Sequence, residues 1–576
     1  MTTAVSSLAA RFRTCPITGL QVNRDSEWLL RANAVVAVVA MLMGAIAAVG
    51  LVLTRWQAIH LLPAHLYYRF LTAHGLNMLI FWVIFFEMAV LYFAGPIVLN
   101  CRQPALRLGW LAFALMVVGA VMVDTMVFTG RADVLFTSYP PLRADSNYYL
   151  GVILFAVGAL LAVSLFFAAL VVARRERTYS GSMPLVTFGA LTAAIIAVIT
   201  LLHGAAVYIP TWLWSMNIGN IDPEIYRMVW WGLGHSSQQI NVAAMVSVWY
   251  LLGGLTVGGV VVNEKVSRTA FVLYVLFISM ASAHHLLVDP GVGPAWKIWN
   301  TSYAMYLAVL ASMIHGFTVP AGIEAGQRLR GYTNGLFEWL RKAPWSDPGF
   351  AGLWLSLVIF GFLGGITGVT LGTEQINILA HNTLRVPGHF HATVVGGTTL
   401  SFMGLTYYVL PLLFRKRVAF WGMAKIQPYV FGGGISAMAI GMILMGILGM
   451  PRRHWDSSFA GAPFPVEIHP ASELLQVLFG VGGLLAATGA LMFIAIAVAT
   501  VFFGKPVTAA ALASGATGIP QGVRKLPPQS YEGPPAEALH KSGVRGTVVL
   551  VAVFFVCFIV YYFTNWAMLS FLWKVG

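Results

Sequence analysis

Thirteen apolar stretches, each longer than 20 residues, run through this chain of 576 residues. They fall near 30–54, 68–98, 107–130, 149–173, 184–209, 225–256, 268–289, 296–323, 350–372, 385–414, 427–450, 473–503 and 545–572. About 20 apolar residues suffice for a helix to cross a bilayer. In hydrocarbon every backbone polar group must be satisfied within the segment or a closed barrel, so only helices and barrels span. Ten-residue segments of alternating polarity are absent, and the pattern predicts an all-α integral membrane bundle of about thirteen transmembrane helices. Composition agrees: only 9% of the residues are charged, against roughly 25% in a soluble domain.

The net charge of +14 invites a nucleic-acid partner, but its placement argues for lipid instead. With the N-terminus in the cytoplasm, the inner ends of the stretches carry 24 of the 34 lysines and arginines and the outer ends 10. That positive-inside bias predicts an inner N-terminus and, for thirteen spans, an outer C-terminus. The N-terminal 28 residues are polar and basic, without the apolar core of a signal peptide. Residues 1–503 read as a twelve-helix domain, 504–544 as a Pro/Gly-rich cytoplasmic loop, and 545–576 as a further helix. No internal repeat is evident, which weakens an inverted-repeat transporter. Cys15, Cys101 and Cys557 provide no CxxC pair, hence no c-type haem attachment and no dinuclear copper site of the chain's own.

Six of the fourteen histidines are conspicuous. Counted at about 1.5 Å per residue, His74, His235, His284, His285, His389 and His391 all fall roughly 6–15 Å below the outer surface. His389 and His391, in "VPGHFHATVV", are two apart and point to opposite sides of a helix, so they serve two sites. His284 and His285 are adjacent near a helix end, where unwinding can aim both rings at one metal. Neutral imidazoles suit copper, iron or zinc. A lone histidine, such as His203 or His315, is as consistent with a hydrogen bond between helices. Around His235 the run "WWGLGHSSQQINVAAM" is too polar for lipid, because unpaired polar groups there cost several kcal/mol each.

These motifs, with "YYRFLTAHGLNMLIFW", "HHLLVDPGVGPAWK" and "HNTLRVPGHFHATVV", resemble subunit I of the haem-copper oxygen reductase superfamily, which includes the nitric oxide reductases. The resemblance is nearest to the B-family and implies the subunit I bundle in a bacterial or archaeal cytoplasmic membrane. It implies two haems, the low-spin one of b type, and one non-haem metal, copper or iron. His74 and His391 would clamp the low-spin haem, His389 would bind the high-spin haem, and His235, His284 and His285 would hold the metal. "GMPRRHW" resembles the paired arginines at the haem propionates, giving Arg452 and Arg453, with His381 and Arg385 close enough in sequence to join them. Electrons would come from a partner subunit whose outer domain carries a cupredoxin-type dinuclear copper centre or a c-haem.

The oxygen-reducing members place a tyrosine four residues after the first metal histidine, and the nitric oxide reductases a glutamate. Here the residue is Gln239. An amide hydrogen-bonds but does not give up an electron. The reading is therefore an atypical nitric oxide reductase that converts two NO to nitrous oxide and water, with Gln238 and Gln239 bonding substrate or ordered water. An oxygen reductase of altered mechanism and a nitric oxide dismutase stay open. Proton-path candidates are Glu87, Tyr250, Ser312 and His315. Asp124 is the other intramembrane acid, and proton pumping is expected to be weak or absent.

Overall fold

The computed structural model describes residues 11–15, 17–18, 21–277, 282–457, 459, 463, 468–520 and 543–572. A small antiparallel hairpin, β1 (Phe12–Thr14) and β2 (Gln21–Asn23), leads into the first helix. Asn23 caps α1 (Arg24–Arg55) by accepting from the Ser26 N–H at 3.1 Å, with Asp25 and Glu27 facing the positive helix end. The remaining helices follow as α2 (Ala64–Ile97), α3 (Leu106–Phe128), α4 (Ser146–Arg175), α5 (Leu185–Ser215), α6 (Pro223–Val257), α7 (Glu264–Phe277), α8 (Pro294–Leu329), α9 (Pro348–Leu371), α10 (Arg385–Phe414), α11 (Trp421–Ile447), α12 (Ala471–Phe503) and α13 (Arg545–Leu572).

Twelve of these are long and apolar enough to cross a membrane. The predicted span 268–289 is represented by α7 and a 3₁₀ turn, Ala283–His285, with 278–281 outside the described residues. The expected loop 504–544 is described to residue 520 and contains a short helix, Ala509–Ala513; residues 521–542 are not described.

Hydrocarbon gives apolar side chains little reason to leave lipid for one another, so close backbone approach matters more. Glycine supplies it: a Cβ on Gly119 of α3 would lie 2.4 Å from the Gly151 carbonyl oxygen of α4, and one on Gly434 of α11 only 2.3 Å from the Ala486 nitrogen of α12. The pairs α3–α4, α5–α6 and α11–α12 run side by side, α1 packs on α2 and α12, and α10 lies against α6, α9 and α11. Burial ranks the helices. α10 has 83% of its most apolar window buried and α6 78%, whereas α13, seated on α8 and α9, has 11%.

Four helices contain π segments: Asn77–Trp82 and Phe93–Ile97 in α2, Trp299–Met305 in α8, Ile359–Gly365 in α9 and His391–Thr399 in α10. Such widened turns frequently accompany functional sites. In α10 the change of pitch falls after Phe390, between the two predicted haem ligands.

Candidate metal centre and its flanking histidines

Helix α6 starts at Asp222, whose carboxylate accepts from the N–H groups of Glu224 and Ile225 at 2.8 and 3.0 Å, followed by Pro223 at the first helical position. His235 follows in the fourth turn and is buried. Facing it, His284 and His285 stand on the 3₁₀ turn, which Asn377 pins by donating to the His284 carbonyl at 3.1 Å. Ligand nitrogens of His235, His284 and His285 all lie within 4.8 Å of one another. His235 Nδ1 is 3.2 Å from His285 Nε2, and Trp231 stacks on the His285 ring at 3.7 Å between centroids and 8° between planes. Three imidazoles converging from two elements could hold a metal ion. Gln239 sits at its edge, its Nε2–H donating to His235 Nε2 at 3.0 Å.

His74 on α2 and His391 on α10 face each other with parallel rings, 6.2 Å between centroids and 9° between planes. Each turns its Nδ1 away to a backbone carbonyl, Gly44 at 3.0 Å and Pro387 at 2.7 Å, so each Nε2 is left for a ligand bond. His389 is oriented likewise by the Gly364 carbonyl at 3.0 Å and the Thr367 hydroxyl at 3.1 Å. A Cβ on Gly368 would lie 2.7 Å from the His389 ring, so that glycine keeps the ring's place open. A cavity of about 220 Å³ is lined by His74, His391, Arg452 and Arg453. A second of about 450 Å³ is lined by the three metal-ligand histidines, Gln239, Tyr274 and His389. Gln238 borders both.

The polar layer above these sites is partly as expected. Arg452 borders both cavities and donates to Asn382 Oδ1 at 3.1 Å, but its buried Nε has no hydrogen-bond partner among the described residues. Arg453 is held at φ +68°, a conformation that costs a non-glycine residue about 1–2 kcal/mol. Burial, reinforced by Arg453, pushes the Arg452 guanidinium down to about 9; burial, with Arg452 beside it, pushes the His381 imidazole down to about 4. Among the described residues neither Arg452 nor Arg453 is in an ion pair with a carboxylate, the nearby Asp289 being bonded to Arg227, and two such half-buried cations suit an anionic group, as haem propionates would be. The orphaned Arg452 nitrogen, the parallel imidazole pair and the glycine beside His389 together fit two haems. Arg385 corrects the sequence expectation. Its guanidinium turns instead to Asn565 on α13 and to Thr370 on α9, at 3.4 Å, because α13 packs on that side.

Lower in the bundle, the Tyr250 hydroxyl meets His315 Nδ1 at 2.9 Å, Thr318 at 2.7 Å and Ser267 at 3.0 Å. His315 Nε2 is buried without a partner among the described residues. Its ring lies 5.4 Å from that of Tyr274, whose hydroxyl meets Ser312 at 3.0 Å. Tyr274 and Ser312 both line the larger cavity. Glu87 is buried on α2, and Asp124 accepts from Asn77 at 2.8 Å. Sequence reasoning missed Trp231, Thr367, Gly368, Asn377 and Tyr274. Only the aromatic and polar content of "WWGLGHSSQQ" hints at one of them, because the others act across helices.

Residues 28–485 match the family described as cytochrome c and quinol oxidase polypeptide I. The chain is 31% identical over 438 residues to cytochrome c oxidase subunit 1 of Thermus thermophilus, covering 74% of this chain and 75% of that one. It is 22% identical over 451 residues to cytochrome c oxidase subunit 1 of Synechocystis, with coverages of 74% and 75%. A cryo-EM structure of a heme-copper terminal oxidase dimer superposes with a TM-score of 0.79 and 25% identity, over 93% of this chain and 92% of that one.

Proposed function

Because this chain belongs to the cytochrome c and quinol oxidase polypeptide I family, membrane haem-copper oxidoreductases of respiratory electron transport, we propose that it is the catalytic subunit of an atypical, B-family-like nitric oxide reductase. The observation that carries the choice of substrate is Gln239. The side chain in contact with His235 is an amide, where the resemblance places a phenol in oxygen-reducing members. Two NO with two electrons and two protons yield nitrous oxide and water, and no step demands an electron from a side chain.

In this reading His74 and His391 hold one haem, His389 the other, and His235, His284 and His285 a copper or iron ion. When bound, these groups supply electrons and a place for a diatomic ligand. The chain's own residues do the rest. Gln239 orients His235 and offers an amide to the cavity, Gln238 borders both haem sides, and Trp231 fixes the plane of His285. Arg452, Arg453 and His381 receive the propionates. Tyr250, His315, Tyr274 and Ser312 form a hydroxyl–imidazole route for protons from the inner face. The chain is oriented with its N-terminus inside and C-terminus outside, and a partner subunit with a dinuclear copper or c-haem domain docks on the outer layer.

Dioxygen is the second reading. Its support is the oxidase naming of the relatives and Tyr274, a fully buried phenol on the same cavity. The purified complex, reduced and mixed anaerobically with NO and separately with dioxygen, decides between them. NO consumption with nitrous oxide formation is expected; rapid four-electron oxygen turnover without NO activity overturns the choice.

A further inference from the structure

Arg385 is a buried cation that the propionate layer does not use. It opens α10, is only 5% exposed, and turns away from Arg452 and Arg453 toward α9 and α13. Its guanidinium donates to Thr370 Oγ1 at 3.4 Å and to Asn565 Oδ1, and its buried Nε has no hydrogen-bond partner among the described residues. Both acceptors are neutral, Tyr561 stands beside the group, and no described carboxylate pairs with it. An arginine does not shed its proton to escape burial, so a full positive charge stays there. A neutral donor would moor α13 as well, and a charge without a counter-ion is costly among apolar helices.

That charge lies beside His389. The two residues are four apart, so they share one face of α10 at a rise of about 6 Å. Both meet α9: His389 Nδ1 contacts the Gly364 carbonyl and the Thr367 hydroxyl, and Arg385 contacts Thr370 one turn on. Thr370 in turn donates to the Thr367 carbonyl at 2.8 Å, so two α9 threonines link the guanidinium to the ring's anchor. Val386, Val369 and Leu371, chain neighbours of the bonded pair, line the larger cavity, which puts the charge one residue layer behind the cavity wall. His391 points elsewhere, across to His74 on α2.

We propose that the uncompensated charge of Arg385 tunes the high-spin haem, making it easier to reduce than it would be without that residue. This deepens the reductase reading and rests on its assignment of His389 as the haem's ligand. Uptake of an electron at that site adds one negative charge, which a fixed cation nearby stabilises. Reduction of two NO draws two electrons from the high-spin haem and the metal together, and Arg385 biases that store toward its filled state. Buried, the charge is little screened by salt. At a separation of two helical turns and an effective dielectric of about 20, a unit charge changes a one-electron equilibrium roughly tenfold, or about 59 mV.

The test is an anaerobic potentiometric titration of the purified complex, with the high-spin haem marked in the visible spectrum by its binding of carbon monoxide. Arg385→Gln keeps a donor for Asn565 and removes the charge. Its high-spin midpoint is expected to fall by about 59 mV, tenfold in the equilibrium. Asn565→Asp leaves the arginine in place and sets a carboxylate against it, and the same fall is expected. Should Arg385→Gln fail to assemble, Asn565→Asp alone decides. Arg385→Lys and Asn565→Leu keep the charge, and their equilibria should stay within about threefold of the parent. An unchanged midpoint in Arg385→Gln or Asn565→Asp, or an equal fall in Asn565→Leu, makes Arg385 a mooring for α13 alone and overturns the proposal. A fall as large at the low-spin haem overturns it too. His389→Ala tests the premise: loss of the carbon monoxide-binding haem is expected. Its retention overturns the ligand assignment, and the midpoints of the other variants still judge the charge.

Discussion

The two histidine groupings at the heart of the bundle are built on opposite plans. His74 and His391 are each tied by Nδ1 to a backbone carbonyl and hold parallel planes across a 6.2 Å gap. His235, His284 and His285 lean on one another and on Trp231 and Gln239, and among the described residues no backbone carbonyl fixes the His235 ring. The first is a clamp whose geometry belongs to the main chain. The second is a cluster whose geometry an ion would complete, so it is sensitive to its side-chain neighbours.

Deleting a ligand from each should separate the two plans most sharply. His235→Ala is expected to reduce turnover to background and remove one metal ion per chain while both haems remain, as read by metal analysis and visible spectra. His391→Ala should do the reverse, losing the low-spin haem and keeping the ion. If either variant lost all three groups together, the sites would not be independent. Gly368→Ala comes next: a methyl group 2.7 Å from the His389 ring should displace it, altering the high-spin spectrum and lowering turnover by up to about 100-fold. Thr367→Ala removes one of two anchors and should cost about tenfold at most in retention of that haem. An unchanged haem affinity would show that the Gly364 carbonyl suffices.

The smallest effect is one of pH. His381 is held near 4 in the folded chain against about 6.5 when unfolded. The folded state therefore binds fewer protons between those values, and stability is complete above about 6.5 and falls as pH drops toward 4. Thermal unfolding from pH 8 to 4 should show this slope and His381→Gln should flatten it. An equal slope in both would assign the effect to other groups.

Helix number and the shared depth of the six histidines are legible in sequence because hydropathy and residue count report position along the membrane normal. Position around it is not. Arg385 and His381 are four residues apart in sequence, yet Arg385 faces α13 and His381 lines the larger cavity with Arg452. Thr367 and Gly368 lie over twenty residues before the ring they steady, and nothing in their periodicity announces it. The π segments also escape a 3.6-residue reading, since one extra residue per turn leaves apolar composition unchanged.

Helix α13 is scarcely buried, yet Leu550, Phe554 and Phe558 line the same cavity as the metal-ligand histidines. Its polar moorings lie near its ends: Glu324 accepts from the Gly546 and Thr547 N–H groups at 3.0 and 2.6 Å, and Arg385 reaches Asn565. Synthesis runs from the N-terminus, so the other twelve helices enter the membrane first. Until α13 follows, the larger of the two histidine-lined cavities stands open along the flank that α13 lines. Cofactor delivery thus has a natural window in biogenesis, and it closes with the arrival of a single helix.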